Sequence, residues 1–217
     1  MLSHADAFTK DAMGSSAEWL ELGFIGVEVF FVLSGYLIGK ILYKVFDKEA
    51  TDYKEIFNFW KRRWFRTLPN YYLFCIIILA LGLFFRYEKF ADNPFVVLQH
   101  FLFWQNIWYP REPWFMTVSW SLAVEEWFYL IFPLIAVVVQ KTLKTSAALT
   151  LLFSAFFLIL VSFLFRQFPF LEIESLGDIS RVVVYRLDSI AIGVIGVVLQ
   201  KHSRFFIKFS CQKLLIR

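Results

Sequence analysis

Charge is scarce in this sequence. Asp, Glu, Lys and Arg supply 18% of 217 residues, against 59% hydrophobic and 21% aromatic, and the mean hydropathy is +0.61. That leaves too little polar surface to coat a soluble globule, so lipid is the expected main solvent. Cysteine is almost missing too. Cys75 lies in an apolar run and Cys211 in a basic tail, with no pairing logic and no metal-ligand spacing, which removes a disulfide framework and a cysteine metal site from consideration. Low-complexity tracts, repeats with a period of about 20 to 50 residues and internal domain boundaries are also lacking. A net charge of +4 would suggest a nucleic-acid partner in a soluble domain. Here the basic residues cluster between apolar runs, where they set topology, and no nucleic-acid partner is expected.

What the sequence does contain is long apolar stretches. A spanning helix needs about 20 mainly apolar residues, and five stretches qualify, near 22–42, 68–86, 116–139, 146–166 and 182–200. A sixth, PFVVLQHFLFWQNIW over 94–108, is too short to cross comfortably and carries Gln99, His100 and Asn106. It reads as interfacial or re-entrant. The expected fold class is therefore all-α, a polytopic transmembrane bundle of about five spanning helices plus one short segment, forming a single membrane domain over 1–217. Lys40, Lys44, Lys48, Lys54, Lys61, Arg62, Arg63 and Arg66 fall between the first two stretches. Under the positive-inside rule that connection is cytoplasmic. Alternation then places Lys141, Lys144 and the basic tail inside and the amino terminus outside. Trp60, Trp64, Tyr71, Tyr72, Trp108 and Trp114 fit an interfacial belt.

Carboxylates interrupt two of these runs. Glu28 sits in GVEVFFVLSGYLIG, and Glu125 and Glu126 sit in WSLAVEEWFYLIFP. Burying a carboxylate at the bilayer centre costs roughly 2.5 to 3.5 kcal/mol on insertion scales, which makes function the favoured reading. The alternatives are a solvated Glu28 near the outer interface and acids placed at a helix N-terminus by its dipole. Ser121 and Glu125 are four residues apart and share a helix face, whereas Glu126 is turned about 100° away and does not easily join it. Arg63 and Arg66, three apart before Pro69, suit either a phosphate clamp or a topogenic cluster on anionic headgroups. Arg186 and Asp188 enter the fifth stretch, where they suit a structural ion pair with each other, Glu28 or Glu125. Position alone does not single out His4, although a neutral imidazole is the usual base for a hydroxyl proton.

Four segments in order, GFIGVEVFFVLSGYLIG, FWKRRWFRTLPNYYLF, WSLAVEEWFYLIFPLI and YRLDSIAIGVIGVVL, resemble the acyltransferase-3 family of bacterial integral-membrane O-acyltransferases. The resemblance covers nearly the whole chain. It implies transfer of an acyl group, commonly acetyl, from cytoplasmic acyl-CoA to a hydroxyl of an envelope sugar or glycan. By the same resemblance LSHA matches the family's essential histidine at His4. The Arg-x-x-Arg element matches Arg63 and Arg66, implicated in acyl-CoA binding. Glu28 matches the acidic position of the family's second motif, and Trp120, Ser121 and Glu125 match Trp-Ser-x-x-x-Glu, with Trp120 and Ser121 expected to shape the acyl site. His4, Glu28 and Glu125 are thus the expected catalytic set. No metal and no permanently bound cofactor are implied, and acyl-CoA (acetyl-CoA) enters as co-substrate beside the glycan acceptor and the lipid bilayer. The implied location is the inner membrane, multi-pass.

The pattern departs from the family in length. Members typically carry about ten spans by the same length rule, and this sequence holds about five. The polar start MLSHADAFTKDAMGSSAEWLE has no signal-peptide layout and would follow an upstream helix naturally. The expectation is a partial chain with Met1 internal to a longer reading frame. Two other classes remain open on residues alone: a transporter or channel, which also needs buried acids, and a catalytically inactive fragment that only packs against partners. The sequence leaves acceptor, acyl chain and oligomeric state unspecified.

Overall fold

The computed structural model describes residues 16–48, 53–85, 94–107, 115–116, 119–167 and 181–214, with side chains described from 25 onward within these segments and as far as 203. Along them run α1 (Ser16–Phe46), α2 (Tyr53–Phe84), α3 (Pro94–Phe101), α4 (Trp120–Leu143), α5 (Ala147–Gln167), a 3₁₀ turn at Val183–Tyr185 and α6 (Leu187–Leu214). There is no strand among the described residues. Five segments are long and apolar enough to cross a membrane: Ile25–Phe46, Tyr53–Phe84, Trp120–Leu143, Ala147–Gln167 and Val183–Ser203. The chain is a multi-pass transmembrane helix bundle. One boundary moves: the second helix starts at Tyr53 and continues through Pro69, so the basic segment before 68 is part of the same helix.

The side-chain pattern is inverted relative to a soluble bundle. On α5, Phe153, Phe156, Phe157, Leu160 and Phe163 face outward, while Thr150, Ser154 and Ser162 are fully buried. Lipid solvates the phenyl rings, and the buried hydroxyls are satisfied locally: Ser154 donates to the Thr150 carbonyl (2.7 Å) and Ser162 to that of Val184 (2.9 Å).

α1 packs most extensively against α6. Small residues allow it. A Cβ on Gly35 would fall on the Ile190 carbonyl, and one on Gly193 would fall on the Val32 carbonyl. Backbone therefore meets backbone at these two crossings, as van der Waals packing between helices in lipid favours.

The short α3 is eight residues, about 12 Å long, and cannot cross a hydrocarbon core of about 30 Å. It ends in a turn with Phe103 at φ 57, where the Trp104 N–H reaches back to the Gln99 carbonyl (2.8 Å), as at a left-handed helix cap that usually takes glycine. Side chains satisfy the carbonyls freed by that stop. Tyr71 donates to His100 O (2.8 Å), Tyr72 to Phe101 O (3.2 Å) and Trp127 Nε1 to Phe103 O (2.8 Å). Non-helical backbone is tolerated near the bilayer only with such partners. Tyr71 thus works inward, as a clamp on α3, rather than in an aromatic belt. His100 is buried and its Nδ1 lies 2.8 Å from the Val96 carbonyl. Burial pushes its ionisation below the ordinary imidazole range, and that carbonyl opposes the shift.

Trp60 is also turned inward. Pro133, inside α4, has no N–H to offer the Tyr129 carbonyl four residues earlier. The Trp60 indole fills that role, with Nε1 2.9 Å from Tyr129 O. A proline-made gap in α4 thereby becomes a fixed contact with α2.

Candidate active site

Ser34 on α1 and Tyr129 on α4 each lie nine residues inside the amino-terminal end of their span. At 1.5 Å per residue that is about 13 Å, close to the middle of the hydrocarbon core. Their hydroxyls are 2.5 Å apart. Arg63 from α2 donates to the same Tyr129 hydroxyl (2.8 Å) and lies over its ring, 4.4 Å from the centroid. The phenol therefore joins three helices at mid-membrane depth.

Both acids of α4 surround this junction. Glu125 is buried and interacts with Ser34, Tyr129 and Arg63. Glu126 is equally buried, accepts a hydrogen bond from Thr67 (2.9 Å) and also feels Arg63. The 100° turn between adjacent residues separates their partners, yet α2 lies close enough to serve both. Glu126 thus joins the network that its helical position had suggested it would miss. It also borders a crevice of about 300 Å³ walled by Trp64, Tyr72, Phe103 and Trp127. Glu125 Oε1, Glu126 Oε2 and Arg63 Nε are buried without a hydrogen-bond partner among the described residues. Two carboxylates and one guanidinium with unused hydrogen-bonding capacity form a polar chamber in the sense of a buried side-chain cluster walled by α1, α2 and α4, inside an apolar bundle. Such groups are costly, and unsatisfied ones of this kind mark functional sites more often than scaffolding.

A second polar layer lies nearer the amino-terminal ends of α1 and α4. Glu28 pairs with Arg186, an electrostatic contact rather than an aligned hydrogen bond. The Arg186 guanidinium stands 5.9 Å from the Phe31 ring, which meets Trp120 edge-on at 6.1 Å. Asn106 links this layer to the loop after α3: its side-chain amide donates to the carbonyls of Trp120 (3.1 Å) and Arg181 (2.6 Å), and its backbone carbonyl accepts from Val183 N–H (2.8 Å). Asp188 pairs with Arg166 instead of with Arg186.

The structure brings Arg63 and Glu125 together and keeps Glu28 and Trp120 in the second layer. Ser121 is half-buried one turn before Glu125, and Arg66 is exposed one turn beyond Arg63. His4 lies outside the described residues. Sequence reasoning missed Ser34, Thr67 and Tyr129. Tyr129 was accessible in principle, because Ser121, Glu125 and Tyr129 recur every four residues along one face of α4. Ser34 and Thr67 carry no such signal, since only the contacts between helices give them partners.

A family model described as an acyltransferase domain, that of the acyltransferase-3 family, matches residues 1–211. O-acetyltransferase OatA of Staphylococcus aureus (strain NCTC 8325 / PS 47) is 32% identical over 149 residues, covering 64% of this chain and 24% of that protein. Peptidoglycan O-acetyltransferase OatA of Listeria monocytogenes serovar 1/2a is 34% identical over 145 residues, covering 60% of this chain and 22% of its own length. The chain spans about a quarter of the length of these curated relatives. No solved structure matches it. A match running almost end to end, over the same α1, α2 and α4 that assemble the buried chamber, settles the kinship: the chain belongs to the acyltransferase-3 family.

Proposed function

We propose that this chain forms the membrane part of an O-acyltransferase that takes an acyl group, acetyl as the simplest, from cytoplasmic acyl-CoA and passes it to a hydroxyl of an envelope glycan. The observation that carries this reading is the mid-membrane chamber of Glu125, Glu126, Arg63, Tyr129 and Ser34. Family membership and the relatives' names, which specify O-acetyl transfer and in one case peptidoglycan, support the reaction class.

In this reading His4, the position matching the family's histidine, takes the proton from the acceptor hydroxyl at the outer side. The hydroxyl oxygen attacks the thioester carbonyl, a C–O bond forms, the C–S bond breaks, and the coenzyme leaves as its thiol. Arg63 and Tyr129 present donors near the chamber's centre, suited to an oxygen that gains negative charge during attack. Glu125 fixes those donors, and Glu28, held by Arg186, sets the outer entrance beside Trp120 and Ser121. Arg66, exposed one turn beyond Arg63 on α2, is the second position matching the Arg-x-x-Arg element that the family resemblance implicates in acyl-CoA binding. The membrane concerned is the inner membrane, with the amino terminus outside. The test is transfer of radiolabelled acetyl from acetyl-CoA into alkali-labile ester in membranes expressing the chain. Incorporation that disappears in His4→Ala at equal insertion supports the proposal. Incorporation unchanged by that substitution refutes the role of His4, and incorporation absent from well-inserted wild type refutes activity of this polypeptide on its own.

A further inference from the structure

A pocket of about 720 Å³ opens between the end of α1, the middle of α6 and the start of α2, on the side where the basic connection between the first two spans lies. Lys40 and Lys44 enter it from α1, Lys48 from just beyond the end of that helix, Arg62 from α2 and Lys201 from α6, against a single acid, Glu55. Glu55 is occupied by Lys48. The lining therefore carries a net charge of +4, gathered from three helices around one concavity. Lysines that only set topology need to lie at the interface; they need not converge. Two of these are also held in place. Lys40 Nζ rests 4.2 Å from the Tyr36 ring centroid and Lys201 Nζ 4.8 Å from that of Tyr43. Tyr36 in turn donates to Gln200 (2.6 Å), tying α1 to α6 at this level.

We propose that this pocket binds the phosphate-bearing end of the acyl donor, the 3′-phospho-ADP part of acyl-CoA, while Arg63 acts deeper in the bundle. The assignment rests on acyl-CoA being the donor. Charge favours this occupant over a phospholipid. A diphosphate together with a phosphate monoester brings about −4, given that a monoester carries roughly −1.5 to −2 at neutral pH. A phosphodiester headgroup brings −1 and would leave most of the pocket's charge uncompensated. Reach agrees as well. Lys44 and Ser34 are ten residues apart on α1, about 15 Å along the axis. An extended pantetheine arm can bridge such a distance, so phosphates at Lys44 would place the thioester beside Ser34, Tyr129 and Arg63.

The experiment is binding of radiolabelled coenzyme A to the full chain in nanodiscs of neutral phosphatidylcholine, with adenosine 3′,5′-bisphosphate as competitor. Lys40→Gln/Lys44→Gln/Lys201→Gln should weaken binding roughly 30- to 100-fold, at a few-fold for each partly exposed charge contact. Lys44→Glu, a single change at an exposed position, keeps the test open should the triple variant insert poorly, and should weaken binding at least tenfold. Lys141→Gln/Lys144→Gln, which removes the same kind of charge elsewhere, should stay within twofold of wild type. Wild-type binding that the pocket variants leave unchanged overturns the pocket assignment and leaves the acyl-CoA donor standing. Absence of coenzyme A binding in wild type refutes the donor reading. If pocket-dependent retention of phosphatidylglycerol accompanies that absence, the pocket is a lipid site and the assignment is likewise overturned.

Discussion

Gly193→Ala should be among the most damaging methyl groups that can be added to this bundle. The new Cβ would fall on the Val32 carbonyl oxygen and within 2.7 Å of Tyr36 N, both backbone atoms of α1 that no rotamer change can move. The helices must part instead. Overpacking of this kind costs about 1–3 kcal/mol, and alanine's helix preference over glycine returns at most about 1 kcal/mol of it. A Cβ only 2.0 Å from a backbone oxygen belongs at the upper end of that range, so the net loss is about 2 kcal/mol, a melting midpoint lowered by about 4–8 °C for a domain of this size. Gly26→Ala has the opposite sign, because nothing lies within 4 Å of its added Cβ. Only the propensity gain remains, and the midpoint should rise by about 2–4 °C. Gly196→Ala, 3.9 Å from Tyr36 Cδ2, makes an ordinary contact and should be neutral or slightly stabilising. Thermal unfolding of the three variants in one detergent, followed by far-ultraviolet circular dichroism, checks the set. A Gly193→Ala protein as stable as wild type, or a destabilised Gly26→Ala, would refute the close-packed α1–α6 crossing. Ser34 adjoins that crossing, so acyl transfer should fall further in Gly193→Ala than its stability alone accounts for.

Other expectations concern single contacts. Trp60→Phe leaves the Tyr129 carbonyl without its donor and should cost about 1–3 kcal/mol by thermal unfolding. Pro133→Ala in that background restores an in-helix N–H to the same carbonyl, so the double variant should be more stable than the sum of the two single changes predicts. Glu28→Gln removes the carboxylate charge facing the better-buried Arg186 and should destabilise by about 1–2 kcal/mol, whereas Arg186→Gln leaves the more exposed carboxylate and should cost less. A pair of equal losses would contradict that asymmetry. For His100 the folded-state pKa lies below its usual 6.5. The native state therefore binds fewer protons than the unfolded state as pH falls, and His100 should remove stability progressively below about pH 6.5. His100→Asn should flatten that part of the stability profile, and an unaltered acid slope would show that another group causes it.

Much of the architecture was legible because lipid imposes it. Five spans and a short intervening segment follow from the length of the apolar runs, and Glu28 and Glu125 stand out because charge in such runs is rare. Boundaries drawn from hydropathy were less faithful. The basic stretch around Arg63 looks interfacial as sequence, yet it continues the second helix, and contact with Tyr129 draws Arg63 into the bundle. Glu126 was set apart from Glu125 by helical rotation, which holds for α4 alone; α2 faces both acids at once. Trp60 and Tyr71 fitted an aromatic belt by position, but Pro133 and the early end of α3 free carbonyls that call them inward. In each case the missing information is a contact between helices, and periodicity within one helix does not contain it.

The central claim, that the buried chamber is where acyl transfer occurs, is tested most directly by Glu125→Gln. Glutamine preserves shape while removing the charge that faces Arg63, Tyr129 and Ser34. With insertion and melting midpoint matched to wild type, labelled acetyl transfer from acetyl-CoA should fall at least 100-fold, whereas coenzyme A binding should change by less than threefold, a split of at least about 2 kcal/mol between chemistry and binding. Transfer that persists at the wild-type rate in this variant would place the chemistry elsewhere in the molecule and contradict the account.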